Sequence, residues 1–300
     1  MKILIVGGTG FIGYHLAKQC LKKNWNVSSI STKKPIRNKF LKKVKYLICD
    51  ITKKQKLKKI SKSNYDYVVN LGGHVNHSHK KKVFDSHFKG CKNLADIFLK
   101  KKILAFVQIG SGAEYGKKKS PQKENFICKP DSIYGKSKLL ATMYLIKLFK
   151  EEKFPVTVLR VYQAYGPQQD FNRFIPIVIK SCLKDSKFPC SKGAQFRDFT
   201  YITDVVEGII AALESKDSKG KIINIGSGKP KKIKTIIENI KEKLSGGKPQ
   251  YGLIKLRKDE ILNVFPDLYN SKKVLKWKSK ISFKKGLNIT INSLKKSLQK

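Results

Sequence analysis

Residues 3–13 read Ile-Leu-Ile-Val-Gly-Gly-Thr-Gly-Phe-Ile-Gly, four apolar residues running straight into glycines at 7, 8, 10 and 13. A short apolar run that breaks into glycines describes a buried strand turning sharply into a helix that packs back on it. The spacing satisfies both GxxGxxG (Gly7, Gly10, Gly13) and GxGxxG (Gly8, Gly10, Gly13). Glycines let the backbone approach a pyrophosphate, the last lets helix lie on strand, and the helix start offers unpaired N–H groups to the anion. Gly7, Gly10, Phe11, Ile12 and Gly13 are therefore expected to cradle a dinucleotide.

That cradle constrains the chain behind it. Short apolar runs at residues 2–6, 26–30, 45–48, 67–70, 104–109 and 157–161 alternate with longer helical patterns, the signature of a parallel sheet wrapped by helices. Ile12, Leu16 and Cys20 recur every fourth position. Phe84, Phe88, Cys91, Leu94, Ala95 and Phe98 form a second stripe, and residues 134–150 carry a third. After about residue 165, Pro167, Pro176 and Pro189 and glycine-rich breaks at 226–230 and 246–249 loosen the order. Helical patterns persist at 205–213 and 233–244, and 222–225 is expected to return to the sheet as a strand. The expected fold class is α/β: a Rossmann-type doubly wound parallel sheet over residues 1–165, with a returning segment near 204–226. A smaller α+β substrate-binding lobe is expected over residues 166–300.

The charge balance is lopsided, with 65 basic against 21 acidic residues and a formal charge of +44. Such an excess invites nucleic acid, since counterion release scales with cationic contacts. Only five of the basic residues are arginine, however, and the bidentate arginine fork carries base readout. The lysines are spread along the chain rather than gathered in one stripe, so no nucleic-acid partner is expected. Six cysteines show no CxxC spacing, nothing resembles a secretory leader, and no stretch approaches the roughly 20 apolar residues that cross a bilayer. The expectation is a cytoplasmic protein without a membrane partner.

The residues past the second strand bear on the cofactor. NAD-selective folds place Asp or Glu there for the ribose 2′-hydroxyl. This chain has Ser31-Thr32-Lys33-Lys34, and the next carboxylate is Asp50. Ser31, Thr32 and Lys33 suit a 2′-phosphate, so NADP(H) is favoured and NAD(H) is the second expectation. Asp50 and Ile51, ending the third strand, are candidates for the adenine edge.

Four further motifs follow in order: Gly110-Ser-Gly-Ala-Glu-Tyr-Gly116, Tyr134-Gly-Lys-Ser-Lys138, Arg197-Asp-Phe-Thr-Tyr-Ile-Thr-Asp-Val205 and Asn224-Ile-Gly-Ser-Gly228. Together with the glycine loop and the segment Arg160–Pro167 they make the chain resemble the extended short-chain dehydrogenase/reductase family of nucleotide-sugar epimerases, dehydratases and 4-ketoreductases. The resemblance implies an enzyme with Ser111, Tyr134 and Lys138 as catalytic residues. Tyr134 and Lys138 lie four apart on one helix face, so the ammonium can lower the phenol's pKa and Tyr134 can exchange a proton with the substrate oxygen. Ser111 would hydrogen-bond that oxygen, and Lys138 would also hold the nicotinamide ribose. Leu71, Gly72 and Gly73 match the small-residue turn after strand four and are expected to line the cofactor pocket. His74, Ser111, Gly112 and Gln163 are expected at the substrate, with Gln163 replacing an asparagine common in the family. Arg197 has the strongest claim to the diphosphate because a guanidinium grips phosphate oxygens in pairs; Asn172 and Arg173 are secondary candidates. The structural alternative pairs Arg197 with Asp198 or Asp204.

His74, His77 and His79 lie close together, but no carboxylate or thiol completes a metal set, so no metal is expected and His77 or His79 is read as facing substrate. The family's 4,6-dehydratases carry Thr-Asp-Glu where this chain has Ser111-Gly112-Ala113. Dehydration is thus not expected. Reduction of a nucleotide-linked 4-keto-6-deoxy-sugar is the first expectation and 4-epimerisation the second; a dinucleotide- or RNA-binding protein of the same fold is the non-enzymatic alternative. The resemblance also implies a homodimer, formed through the helices at 84–101 and 134–150.

Overall fold

The computed structural model describes residues 1–60, 63–74, 76, 78–256 and 260–298. Its centre is a parallel sheet of Lys2–Val6 (β1), Asn26–Ser31 (β2), Val44–Ile48 (β3), Tyr67–Asn70 (β4), Ala105–Ser111 (β5), Val156–Val161 (β6) and Ile222–Ile225 (β7). The strands lie in the order β7-β6-β5-β4-β1-β2-β3. The chain enters at β1, runs outward to β3, then crosses back to β4 on the other side. That reversal opens a crevice at the carboxyl ends of β1 and β4, where ligands of such sheets bind.

Helices cover both faces, so β4 and β6 are buried at every residue. Alternation sorts the side chains. Ile3 and Ile5 of β1 join Val107 and Leu159 under the helices Phe11–Lys22 (α1) and Ile202–Glu214, through Leu16, Ala17, Val205 and Ile209. Leu4 and Val6 point the other way. They join Val68, Phe106 and Val158 under Gly90–Leu99 (α2) and Ile133–Glu152 (α3), through Cys91, Leu94, Phe98, Ala141 and Leu145. Among the described residues no helix is long and apolar enough to cross a membrane.

Two expectations shift at element ends. The fifth strand is predicted over 104–109, yet Leu104 is exposed and the strand runs on through Gly110 and Ser111, which pair with Arg160 and Val161 of β6. A glycine reads locally as a strand end; neighbouring strands override it. The helix predicted from residue 84 starts at Lys80 and contains one wide turn over Asp85–Lys89 before α2. The lysine run at 80–82 carries no apolar period to announce it.

Beyond β6 the chain forms small sheets: Gln163–Tyr165 with Phe199–Tyr201, Lys187–Cys190 with Lys248–Tyr251, and Phe196–Arg197 between Lys231–Lys232 and Asn263–Val264. The 166–173 segment is tied back to the sheet's other half. His15 Nε2 on α1 donates to Pro167 O at 2.8 Å, and Lys39, in the segment after β2, pairs with Asp170 at 3.2 Å.

Two outcomes follow from this packing. A Cβ at Gly13 would lie 2.3 Å from Gly7 O and 2.6 Å from Gly8 Cα. Gly13→Ala must lever α1 off β1, and thermal melting should show a loss of about 1–3 kcal/mol. Burial, reinforced by Lys18 and Lys39, lowers the His15 pKa from its ordinary 6.5 against the opposing pull of Pro167 O. The folded state thus binds fewer protons than the unfolded one, and the tether's stability is present above that ordinary value and lost as pH falls below it. His15→Gln, which keeps a donor for Pro167 O, should flatten the fall in melting temperature between about pH 7 and about pH 5.

Candidate active site

At the carboxyl end of β1, Gly7 adopts φ +82° and its N–H donates to Ile30 O at 2.7 Å. A side chain there would press within 3.1 Å of the Leu71 backbone. Gly10 N–H donates to Gly7 O at 3.0 Å, and Gly10 caps α1 without any side-chain acceptor. The first turn of α1 therefore keeps N–H groups for an anion. A helix start uncapped by side chains, beside glycines whose Cβ positions are filled by neighbouring backbone, fits a dinucleotide pyrophosphate. Phe11 and Ile12 are half-buried in that turn.

Ser31, at the end of β2, accepts from Thr9 N at 3.4 Å, which ties the strand end to the glycine loop. Thr32, Lys33 and Lys34 follow, all exposed. Asp50 is exposed and accepts from Thr52 N at 2.9 Å, whereas Ile51 is buried, its Cδ1 3.1 Å from where a Gly72 Cβ would sit. Ile51 thus supports the Leu71–Gly72 turn from below. Gly72 N donates to Asn70 Oδ1 at 3.0 Å. At Gly73 a Cβ would collide with the His87 ring at 1.9 Å, so glycine is required for that histidine to lie where it does.

The three expected catalytic residues come from the end of β5 and the start of α3. Ser132 caps α3 by accepting from Gly135 N at 3.1 Å, which fixes the first turn bearing Tyr134. Lys138 is buried, donates to Ile109 O at 2.6 Å and lies 5.9 Å from the Tyr134 ring centroid. Ile109 is two residues before Ser111, so the lysine holds α3 against the strand end. Ser111 Oγ accepts from Ala113 N at 3.2 Å and Ser111 N donates to Glu114 Oε1 at 2.8 Å. The buried His87 ring meets Tyr134 edge-on at 5.1 Å, with Nε2 3.3 Å from His74 O.

The candidate substrate residues are placed less uniformly. Gly112 is buried, its Cβ position 3.0 Å from the Tyr162 ring, and Gln163 is exposed. His74 is half-buried, donates from its backbone N to Ser86 Oγ at 2.9 Å and meets the His79 ring at 5.7 Å; His77 lies outside the described residues. Among the described residues no three His, Cys, Asp or Glu side chains are grouped to hold a metal. Asn172 is exposed and Arg173 is the capping residue of the Phe174–Leu183 helix. Arg197 pairs with Glu260 and also donates to Phe196 O and Leu262 O, at 2.8 and 3.1 Å. Asp198 and Asp204, the partners considered from sequence, are engaged elsewhere. Asp198 accepts from Ser227 N and Gly228 N at 2.6 and 2.7 Å, though burial still pushes its pKa up. Asp204 accepts from Ser279 Oγ, Lys280 N and Ile281 N at 2.6, 3.0 and 2.9 Å.

Several residues that organise the site have no motif. Asn70 Nδ2 donates to Gln108 Oε1 at 2.7 Å, and Gln108 Nε2 donates to the same Ile109 O that receives Lys138. Glu114, fully buried, accepts from Arg160 Nε and Thr142 Oγ1, each at 2.9 Å. One signal for this set was present: a buried charge requires a partner, and Arg160 is the one charged residue in the β-branched and apolar run of β6.

A profile of the NAD-dependent epimerase/dehydratase family matches residues 3–226. A candidate UDP-glucose 4-epimerase of Methanocaldococcus jannaschii is 30% identical, over 98% of this chain and 98% of its own. The solved UDP-glucose 4-epimerase of Thermotoga maritima superposes with a TM-score of 0.93 at 25% identity, over 99% of this chain and 100% of that one. The UDP-glucuronic acid 4-epimerase of Bacillus cereus, in complex with UDP-glucuronic acid and NAD, superposes with a TM-score of 0.89 at 26% identity, over 99% and 100%. With its glycine cradle and parallel sheet, the chain belongs to the NAD-dependent epimerase/dehydratase family.

Proposed function

We propose that this enzyme reduces the 4-keto group of a nucleotide-linked 4-keto-6-deoxy-sugar and prefers NADP(H). The observation that carries this reading is the end of β2, where Ser31, Thr32, Lys33 and Lys34 stand with no carboxylate to repel a 2′-phosphate. Gly112 and Ala113 offer no acid for dehydration, and the nearest carboxylate, Glu114, is buried against Arg160. The similarity to 4-epimerases, one of them solved with NAD, favours a second reading in which a retained cofactor serves C4 inversion.

The bound nicotinamide cofactor would supply the hydride. Tyr134 then gives its phenolic proton to the C4 oxygen, and Ser111 donates a hydrogen bond to that oxygen as it gains charge. Lys138, anchored on Ile109 O, keeps a positive charge beside the phenol that loses the proton. Leu71, Gly72 and Gly73 bound the cofactor side; His74, Gly112 and Gln163 are assigned to the sugar, and Arg197, Asn172 and Arg173 to the diphosphate. For Arg197 this means exchanging or sharing Glu260. We divide the chain at residue 165, with a segment near 204–226 returning to the dinucleotide-binding sheet, and give most of 166–300 substrate binding. Exposed Leu140 and Met143 on α3 are assigned to a second copy of the chain, and the six free cysteines suit a reducing cytoplasm.

Purified enzyme with NADPH and a dTDP- or CDP-4-keto-6-deoxy-hexose should lose absorbance at the reduced-nicotinamide band. Tyr134→Phe should cut that rate at least about 10²-fold. No loss with either sugar, together with NAD retained through purification, selects the epimerase reading. Lys33→Ala should raise KM for NADPH about tenfold, equivalent to roughly 1.4 kcal/mol, and leave KM for NADH unchanged. Equal effects on the two cofactors would remove the 2′-phosphate assignment.

A further inference from the structure

Tyr134, Lys138 and Thr142 fall at i, i+4 and i+8 of α3 and so form one stripe facing the sheet. Lys138 grips Ile109 O. Thr142, the next residue along, grips Glu114 Oε2, and the other oxygen of the same carboxylate accepts from Ser111 N at 2.8 Å. Arg160 Nε on β6 completes the set at 2.9 Å from Glu114 Oε2. A Cβ at Gly110 would lie 2.5 Å from Glu114 Oε1, so the strand leaves just enough room for the carboxylate. Arg160 Cζ lies 4.3 Å from the Tyr115 ring centroid, and the Tyr115 hydroxyl donates to Asn224 Oδ1 of β7 at 2.8 Å.

We propose that Glu114 is a positioning residue: its buried carboxylate, bridging Ser111 N, Thr142 Oγ1 and Arg160 Nε, sets the register between the strand end carrying Ser111 and the helix carrying Tyr134 and Lys138. This rests on the reading that Ser111 and Tyr134 meet one substrate oxygen, with Lys138 beside the phenol. A helix advances about 1.5 Å per residue. Lys138 supplies one polar contact between α3 and this strand end, and the apolar packing of Ala141 and Leu145 is less directional; the Glu114–Thr142 contact, one turn further on, supplies the second polar contact. Misplacement of reacting groups by about 1 Å can cost about 10²-fold in rate. The charge is affordable in the interior only because Arg160 and two further donors meet it. A structural ion pair would need Arg160 alone; the bonds to the catalytic strand end and the catalytic helix single out the positioning role.

The test compares Thr142→Val, Thr142→Ser and Glu114→Gln with the parent chain, and Thr142→Val again in a Ser111→Ala background. Thr142→Val removes one hydrogen bond and should lower kcat about tenfold, with KM changed less than about twofold. Thr142→Ser should restore the parent rate. In the Ser111→Ala background Thr142→Val should add little, because the alcohol it helps to place is gone. A full additional tenfold loss there, or a rise in KM in proportion, overturns the proposal in favour of general packing. Hydrogen exchange of the peptide containing Ser111 and Tyr115 gives a readout that needs no substrate. Its amides should exchange about tenfold faster in Thr142→Val and Glu114→Gln, at a melting temperature that still shows a folded chain. Unchanged exchange in Thr142→Val overturns the proposal, including where Glu114→Gln does not fold. Absence of turnover in the parent chain bears on the proposed reaction, and the exchange result decides the positioning role independently.

Discussion

At Gly7 the backbones of β1, of the first turn of α1 and of the turn after β4 converge with no space for a side chain. The two halves of the sheet diverge from this point, so the contact fixes where a dinucleotide can lie relative to every other element. The uncapped α1 start lies on one side and the Leu71–Gly73 turn on the other. His15, four residues into α1, reaches Pro167 O and so ties the same helix to the segment that follows β6. The glycine loop and the segment after β6 are thus joined by one helix and a single side-chain hydrogen bond.

A second regularity concerns carboxylates. In a chain with a threefold excess of basic residues, several of the scarce acids, buried or half-buried, accept hydrogen bonds from backbone N–H groups at strand ends, turns and loops or, at Asn224, within a strand. Glu114 holds Ser111 N, Asp198 holds Ser227 N and Gly228 N, Asp204 holds Lys280 N and Ile281 N, and Glu124 holds Asn224 N. Hydrogen bonds to a charged acceptor contribute about 1.5–3 kcal/mol each, more than neutral ones. The surface lysines carry net charge, while the interior acids determine loop shape. Arginine is used where a rigid fork matters: Arg160 beneath the site and Arg197 against Glu260.

This arrangement also bears on the chemistry. The turn after β5 holds Ser111 through its backbone and leaves its hydroxyl hydrogen available to a ligand, since Oγ acts there as an acceptor from Ala113 N. The acid in that turn is sequestered rather than presented. A site so built favours proton exchange at a single oxygen over abstraction of a carbon-bound proton. Both of the proposed reactions, reduction and C4 inversion, meet that description.

Much of the architecture was legible because it follows from local periodicity. The apolar runs became β1, β4, β6 and β7 nearly residue for residue, since a strand buried on both faces has no tolerance for polar side chains unless each finds a partner. The glycine cradle and the Tyr134/Lys138 spacing were equally local. What the chain order could not reveal were pairings across long separations: Glu114 with Arg160 and Thr142, Arg197 with Glu260 in place of Asp198 or Asp204, His87 over Gly73, and the extension of β5 through Gly110 to Ser111. Sequence determined which segments become strands and helices, because that depends on neighbours a few residues away. Only the tertiary structure decided which charges meet, because a buried ion pair is selected by desolvation and geometry among elements that the chain brings together last.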